Sequence, residues 1–157
     1  MQDRKKVLII SDAHLIKTFV QPTVLKLKQE TGIHFDCFIE APINIETRNA
    51  LERVFGNVFI NEYPKGIMRK MPKIRFFQRI YGLRKLAKSL GNYDIVHIHY
   101  HPSYYSYFTP IVRKKTKKFF VSFFGSDFNQ IGNFKHWQNK KTINLLDGVF
   151  ATNESWL

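Results

Sequence analysis

The 157-residue sequence predicts an α/β fold, a single domain built on a doubly wound, mostly parallel sheet. Three observations predict it. Short stretches such as Lys6–Ser11 (KVLIIS) are almost continuously apolar, the pattern of a strand buried on both faces. These stretches alternate with segments of helical spacing, so the strands are joined by right-handed crossovers and run parallel. Glycines fall at the joints, with Gly32 and Gly56 placed to end helices and Gly125 placed to turn the chain after a strand.

The elements follow in order. Lys6–Ser11 is the first strand, and the loop 12–20 leads to a helix over Gln21–Thr31, with Val24, Leu25 and Lys28 at helical spacing. His34–Glu40 is the second strand, Glu46–Phe55 the second helix and Asn57–Ile60 a short third strand. Tyr93–Tyr100 is the fourth strand, followed by a helix from near Pro102 to about Lys115. Lys118–Phe123 is the fifth strand, Lys135–Leu146 a helix and Gly148–Thr152 the sixth strand. In such Rossmann-like sheets, ligands bind beyond the carboxyl ends of the strands. The informative loops are therefore 12–20, 100–105, 124–133 and the one starting at Asn153.

Composition narrows the class. With 44% hydrophobic and 24% charged residues, the chain is globular rather than disordered. No apolar run reaches the roughly 20 residues of a membrane-spanning helix. The N-terminal MQDRKKVLII lacks the length and cleavage site of a signal peptide, because Ser11 and Asp12 interrupt it; it reads as a strand of a cytoplasmic protein. The single cysteine, Cys37, sits in an apolar stretch and reads as a buried thiol. A formal charge of +13 calls for an anionic partner.

Three segments carry a more specific pattern: YDIVHIHY over 93–100, FFVSFFGSD over 119–127, and LDGVFATNES over 146–155. Together they resemble family-4 retaining glycosyltransferases of the GT-B architecture, in which two Rossmann-like domains face one another. The resemblance covers 93–155 well, Lys6–Ser11 loosely and 31–92 only in element order. It implies that the chain is the N-terminal, acceptor-side domain. The residues themselves agree. Gly125 permits the sharp turn after a buried strand, and Ser126 and Asp127 then offer a hydroxyl and a carboxylate to sugar hydroxyls. The competing role for Asp127 is a helix or turn cap. Many relatives carry histidine where Phe124 stands, and phenylalanine neither donates nor accepts a proton, so no catalytic residue is assigned. Relatives often have a glycine pair after the first strand; here the loop reads Ser11-Asp12-Ala13-His14. Asp12 is an acceptor-binding candidate, and Ala13 and His14 form a donor-facing loop.

His97, His99 and His101 form an H-x-H-x-H array. In a straight strand, neighbours in this array stand roughly 6–7 Å apart, too far for all three to ligate one ion, and no metal is expected. His97 is expected inside the sheet, His99 at the cleft and His101 in the loop. Tyr104 and Tyr105 are expected to form a stacking wall for the acceptor.

The segment 64–92 has a different character. Lys65, Arg69, Lys70, Lys73, Arg75, Arg79, Arg84, Lys85 and Lys88 fall within it, with no Asp or Glu. Phe76, Ile80, Leu83, Leu86 and Leu90 trace an apolar stripe, with Phe77 and Tyr81 at its flank. A crossover helix with a solvated polar face accounts for the stripe, but such faces mix charge signs and this one does not. Membrane contact through Arg69, Lys70, Lys73, Arg75, Arg79, Arg84, Lys85 and Lys88 is the favoured reading. Nucleic acid is the rival; no nucleic-acid motif accompanies the basic residues.

The family's second domain binds the nucleotide-sugar and typically supplies an E-x7-E pair; no two glutamates here stand at that interval. The sequence also stops at Trp156-Leu157, where another helix is due. The expectation is an acceptor-binding half, 1–157, lacking the donor-binding domain and inactive alone. It would serve transfer from a nucleotide-sugar to a cell-envelope or lipid-linked saccharide, on the inner face of the membrane. Its cleft residues are Asp12, His99, Tyr104, Tyr105, Gly125, Ser126 and Asp127, with no cofactor of its own. The missing domain is supplied in cis or by a partner subunit in trans. Two alternatives stand beside it: a non-enzymatic, membrane-recruiting subunit of a split glycosyltransferase, and an unrelated nucleic-acid-binding α/β module.

Overall fold

The computed structural model describes residues 4–62, 72–123 and 133–151. Six parallel strands form one sheet in the order β3-β2-β1-β4-β5-β6. They are β1 Lys6–Ser11, β2 His34–Ile39, β3 Val58–Ile60, β4 Tyr93–His99, β5 Thr116–Phe123 and β6 Gly148–Ala151. This is the doubly wound arrangement expected from the sequence. Each strand alternates its side chains between two faces, and each face carries a hydrophobic core, although Val149 and Phe150 of β6 are exposed.

On one face, Leu8, Ile10, Phe38, Val96, Ile98, Phe119 and Val121 form the sheet side of the larger core. Helix α4 (Pro72–Ser89) covers it with Leu83 and Ala87, and Tyr105, Phe108 and Val112 complete it. On the other face, Val7, Ile9, Phe35, Cys37 and Ile39 pack against two helices. Helix α2 (Gln21–Thr31) brings Val24, and α3 (Ile45–Glu52) brings Leu51. Cys37 is fully buried, as expected, and burial followed by the charge of Asp36 pushes its thiol up from the ordinary range.

Local chemistry explains the boundaries. Gly32 takes φ 65° and its N–H bonds Lys28 O, the left-handed helix stop anticipated at that position. Gly56 does a different job. The helix before it ends at Glu52, and a Cβ at Gly56 would overlap the His34 ring, so this glycine permits close approach rather than a left-handed turn.

The segment 12–20, expected as a loop, is helical: α1 (Ala13–Leu15) leads into a π-helical turn over Ile16–Val20. Asp12 caps α1 by accepting from Leu15 N at 2.9 Å. Pro22 follows in the first turn of α2 and lacks an N–H. The wider turn, in which Gln21 N–H bonds Ile16 O, spares its ring the carbonyl of residue 18. The helix expected from Pro102 to Lys115 is split into a 3-10 turn, Ser103–Tyr107, and α5, Thr109–Arg113, because Pro110 cannot continue the preceding hydrogen-bond ladder. The last described helix, α6, spans Asn133–Ile143.

Gly82, in the middle of α4, faces Asn61 just beyond β3, and a Cβ there would overlap Asn61 Oδ1. Asn61 is 2% exposed, and its Nδ2 donates to Glu40 O at 3.1 Å and Arg79 O at 3.2 Å, so it has no cheap retreat. Gly82→Ala gains about 1 kcal/mol of helix propensity but incurs ~1–3 kcal/mol of overpacking and disturbs both bonds. Urea denaturation is expected to show a net loss of stability for G82A, and a gain would contradict this packing.

Candidate functional site at the carboxyl ends of strands one and four

The chain leaves β1 towards the α2 face and leaves β4 towards the opposite face. Neighbouring strands whose continuations diverge open a crevice at their carboxyl ends, the switch point of a doubly wound sheet. Ser11, the last residue of β1, is fully buried and its Oγ donates to His99 O, pinning the two strand ends together. Asp12 follows, half-buried. His99 ends β4 beside it. Burial lowers the His99 pKa, and the nearby charge of Asp12 partly opposes that shift. Two candidates taken from separate parts of the sequence thus meet at one point.

Tyr100 sits at φ 78°, the only non-glycine with positive φ among the described residues, and its N–H bonds Ser122 O at 3.2 Å. A tyrosine in this region carries strain of order 1–3 kcal/mol, held in place by its surroundings. The bend takes the array of histidines apart. His97 and His99 share a face, with ring centroids 5.8 Å apart, and His97 Nε2 lies 2.8 Å from Ser122 Oγ. His101 instead turns into the protein, 1% exposed, with Nε2 3.1 Å from Thr142 Oγ1 on α6. Among the described residues no three His, Cys, Asp or Glu side chains are grouped to hold a metal ion.

The two tyrosines part company. Tyr104 lies half-buried at the edge and donates its hydroxyl to Glu40 Oε2. Tyr105 is wholly buried, its ring 4.9 Å from that of Phe108, and burial raises its phenol well above the ordinary value. The expected stacking wall is therefore corrected: successive residues of a 3-10 turn point about a third of a turn apart, so Tyr105 enters the core while Tyr104 stays at the rim. Ala13 packs against the smaller core and His14 is exposed. Gly125, Ser126 and Asp127 lie outside the described residues, as does Phe124; β5 ends at Phe123 on the same edge as His99.

Of the basic segment, Arg69 and Lys70 also lie outside the described residues. Lys73, Arg75, Arg84, Lys85 and Lys88 are exposed, and Phe77 and Tyr81 are each 71% exposed on the same helix. Arg79 is a correction. Its guanidinium pairs with Glu40 Oε1 and lies over the Tyr104 ring, 4.3 Å from the centroid, so it faces the protein rather than an external anion. Glu40 is the residue that sequence reasoning missed. A lone acid closing an apolar strand at the carboxyl edge was the available signal.

Two acids of the family-like segments are structural. Asp94 receives Lys6 N at 2.9 Å and Lys117 Nζ at 2.6 Å, and Asp147 receives Phe119 N at 2.7 Å. The Lys117 bond and the Phe119 amide, respectively, are the main causes that hold these carboxyls below the usual range.

The fold is that of a Rossmann-like α/β domain, with its candidate site at the β1/β4 switch point. The profile of the family described as glycosyl transferase 4-like matches residues 6–151, so the chain belongs to that family and is a glycosyltransferase domain. No curated protein matches the chain. Among solved structures, the C-terminal domain of a Pyrococcus furiosus hydrogenase superposes with a TM-score of 0.57 at 16% identity, covering 77% of this chain and 95% of that one. MurG of Acinetobacter baumannii superposes with a TM-score of 0.56 at 13% identity, covering 94% of this chain and 41% of that chain. At such identities the likeness is one of fold. No helix among the described residues is long and apolar enough to cross a membrane.

Proposed function

We propose that this domain is the acceptor-binding half of a glycosyltransferase. In that role it holds a cell-envelope or lipid-linked saccharide at the β1/β4 crevice, while a second domain, in cis or in trans, brings the nucleotide-sugar. The observation that carries the reading is the meeting of Asp12 and His99 at the switch point of a family-matched domain. Asp12 already spends one oxygen on the α1 cap, which fixes the carboxylate and leaves its other oxygen for a sugar hydroxyl. His99, whose pKa is lowered by burial, contributes a neutral imidazole beside that carboxylate at physiological pH. Gly125, Ser126 and Asp127 follow β5 in sequence and are assigned to the same acceptor site, with Tyr104 at its rim and Ala13 and His14 on the donor side.

The same reading places the exposed side of α4 on an anionic bilayer. Its described basic residues are unopposed by acids on the helix, and Phe77 and Tyr81 provide apolar contact. Like charge argues against a second copy of this chain as the occupant.

Three experiments test the proposal. Purified 1–157 incubated with nucleotide-sugars and saccharide acceptors is expected to show no transfer, and turnover would overturn the division of labour. Asp12→Ala and His99→Ala are each expected to weaken saccharide binding at least tenfold, about 1.4 kcal/mol. Sedimentation with phosphatidylglycerol vesicles, but not with phosphatidylcholine vesicles, is expected for the wild type. Arg84→Ala and Lys85→Ala are each expected to cost about 1 kcal/mol, roughly fivefold in partitioning. Equal retention on neutral vesicles would sink the membrane reading.

A further inference from the structure

The cluster around Glu40 joins the rim of the crevice, at Tyr104, to α4. Glu40 follows β2 and is 8% exposed. One carboxylate oxygen takes Arg79 of α4, and the other takes the hydroxyl of Tyr104 in the turn after β4. The Arg79 guanidinium also covers the Tyr104 ring, so the three side chains close on one another. Asn61, beyond β3, ties the Glu40 and Arg79 carbonyls together from below. A second contact parallels this one: the rings of Phe76 on α4 and Tyr107 in the 3-10 turn meet edge-on at 6.4 Å.

We propose that Glu40 is a positioning residue that couples the exposed side of α4 to the His99–Tyr104 segment, so that docking of α4 on an anionic surface is registered at the acceptor crevice. This inference rests on the reading given under Proposed function. Phe77 and Tyr81 flank Arg79 in sequence on one rigid helix, so a displacement at those exposed rings is carried to the guanidinium. From there the path is short: the Glu40 carboxylate, the Tyr104 hydroxyl, and then the chain back through Pro102 to Tyr100. Tyr100 supplies the element able to hold two states, because its left-handed backbone is disfavoured for a tyrosine and persists only under constraint. Loss of the Tyr104 anchor frees that constraint. Gain of rigidity in α4 tightens it.

Hydrogen exchange on the full chain, with and without phosphatidylglycerol vesicles, tests the coupling. In the wild type, vesicles are expected to slow exchange over 72–89 and also, about tenfold, over 100–107. In Glu40→Gln and in the milder Tyr104→Phe, which deletes one hydroxyl and leaves the fold, the helix is expected to remain protected while the response at 100–107 is lost. An unchanged 100–107 segment in the wild type despite protection of the helix overturns the coupling alone. The same follows if Tyr104→Phe responds as fully as the wild type. No protection of the helix by these vesicles removes the membrane reading, and this inference with it.

Discussion

Acidification from pH 6.5 to 4 is expected to remove about 5 kcal/mol of folding stability and to unfold the domain under conditions where many domains of its size persist. The cause lies in two histidines. Burial, helped by the neighbouring His99, lowers His97 from 6.5 to about 4, and burial does the same to His101. Both imidazoles are neutral in the fold and must take up protons once the chain opens. A group whose folded pKa is depressed binds more protons when unfolded, so stability falls as pH falls. For a histidine shifted this far, the contribution is complete above the unfolded value of 6.5 and is lost progressively down to about 4. Each shift is worth about 3 kcal/mol, and the two together match the lower range of total domain stability, ~5–15 kcal/mol.

Denaturant titrations across this window measure the slope directly. His97→Gln keeps a partner for Ser122 and cannot titrate, so it is expected to remove about half of the slope. Self-repulsion among the excess cations also grows in acid, but salt screens it, whereas the cost of charging a buried ring persists in salt. A stability that is flat between pH 7 and 5, or a slope abolished by salt, would contradict the burial of these rings.

Legibility in the sequence followed the range of the forces involved. β1, α2 with its Gly32 stop, and the positions of all six strands were readable because continuous apolar runs and glycine stops are local signals. The placement of Asp12 and His99 at the carboxyl ends of β1 and β4 was readable for a related reason, since each follows an apolar strand run that is itself a local signal. The helical turns over 13–20 were not, because the π-turn answers to Pro22, which reads equally well as a loop boundary. Arg79 was misplaced for a different reason. It borders the apolar stripe of α4, and periodicity cannot tell a flank that meets water from one that meets an acid 39 residues earlier in the chain. Tyr104 and Tyr105 looked equivalent as neighbours, and only the turn geometry separates them.

Asp36→Ala is expected to cost ~3–5 kcal/mol, the largest loss from any single side chain at the amino half of the sheet. Asp36 is 3% exposed. Its carboxylate accepts from Asn57 N at 2.8 Å, Asn57 Nδ2 at 3.0 Å and Tyr93 Oη at 2.9 Å, and His34 Nε2 lies 2.8 Å away. These bonds fasten the entrances of β3 and β4 to β2. Burial and the bond to Asp36 together push the Tyr93 phenol up, so that hydroxyl remains a donor at any physiological pH. Alanine would leave the buried Tyr93 hydroxyl without this partner and the Asn57 N–H without its acceptor, the costly direction of hydrogen-bond loss. Asp36→Asn keeps one acceptor oxygen and should cost less, and Tyr93→Phe, which removes a single donor to a charge, should cost about 1.5–3 kcal/mol. The order Ala, Asn, then Tyr93→Phe is the discriminating result in a denaturant series. Because this carboxylate lies in the amino half of the sheet and the proposed acceptor crevice at its carboxyl edge, the folded fraction of each variant should match the wild type in the proposed saccharide binding. A change in saccharide affinity of folded Asp36→Asn would mean that the two ends of the sheet do not divide stability from recognition as the strand order implies.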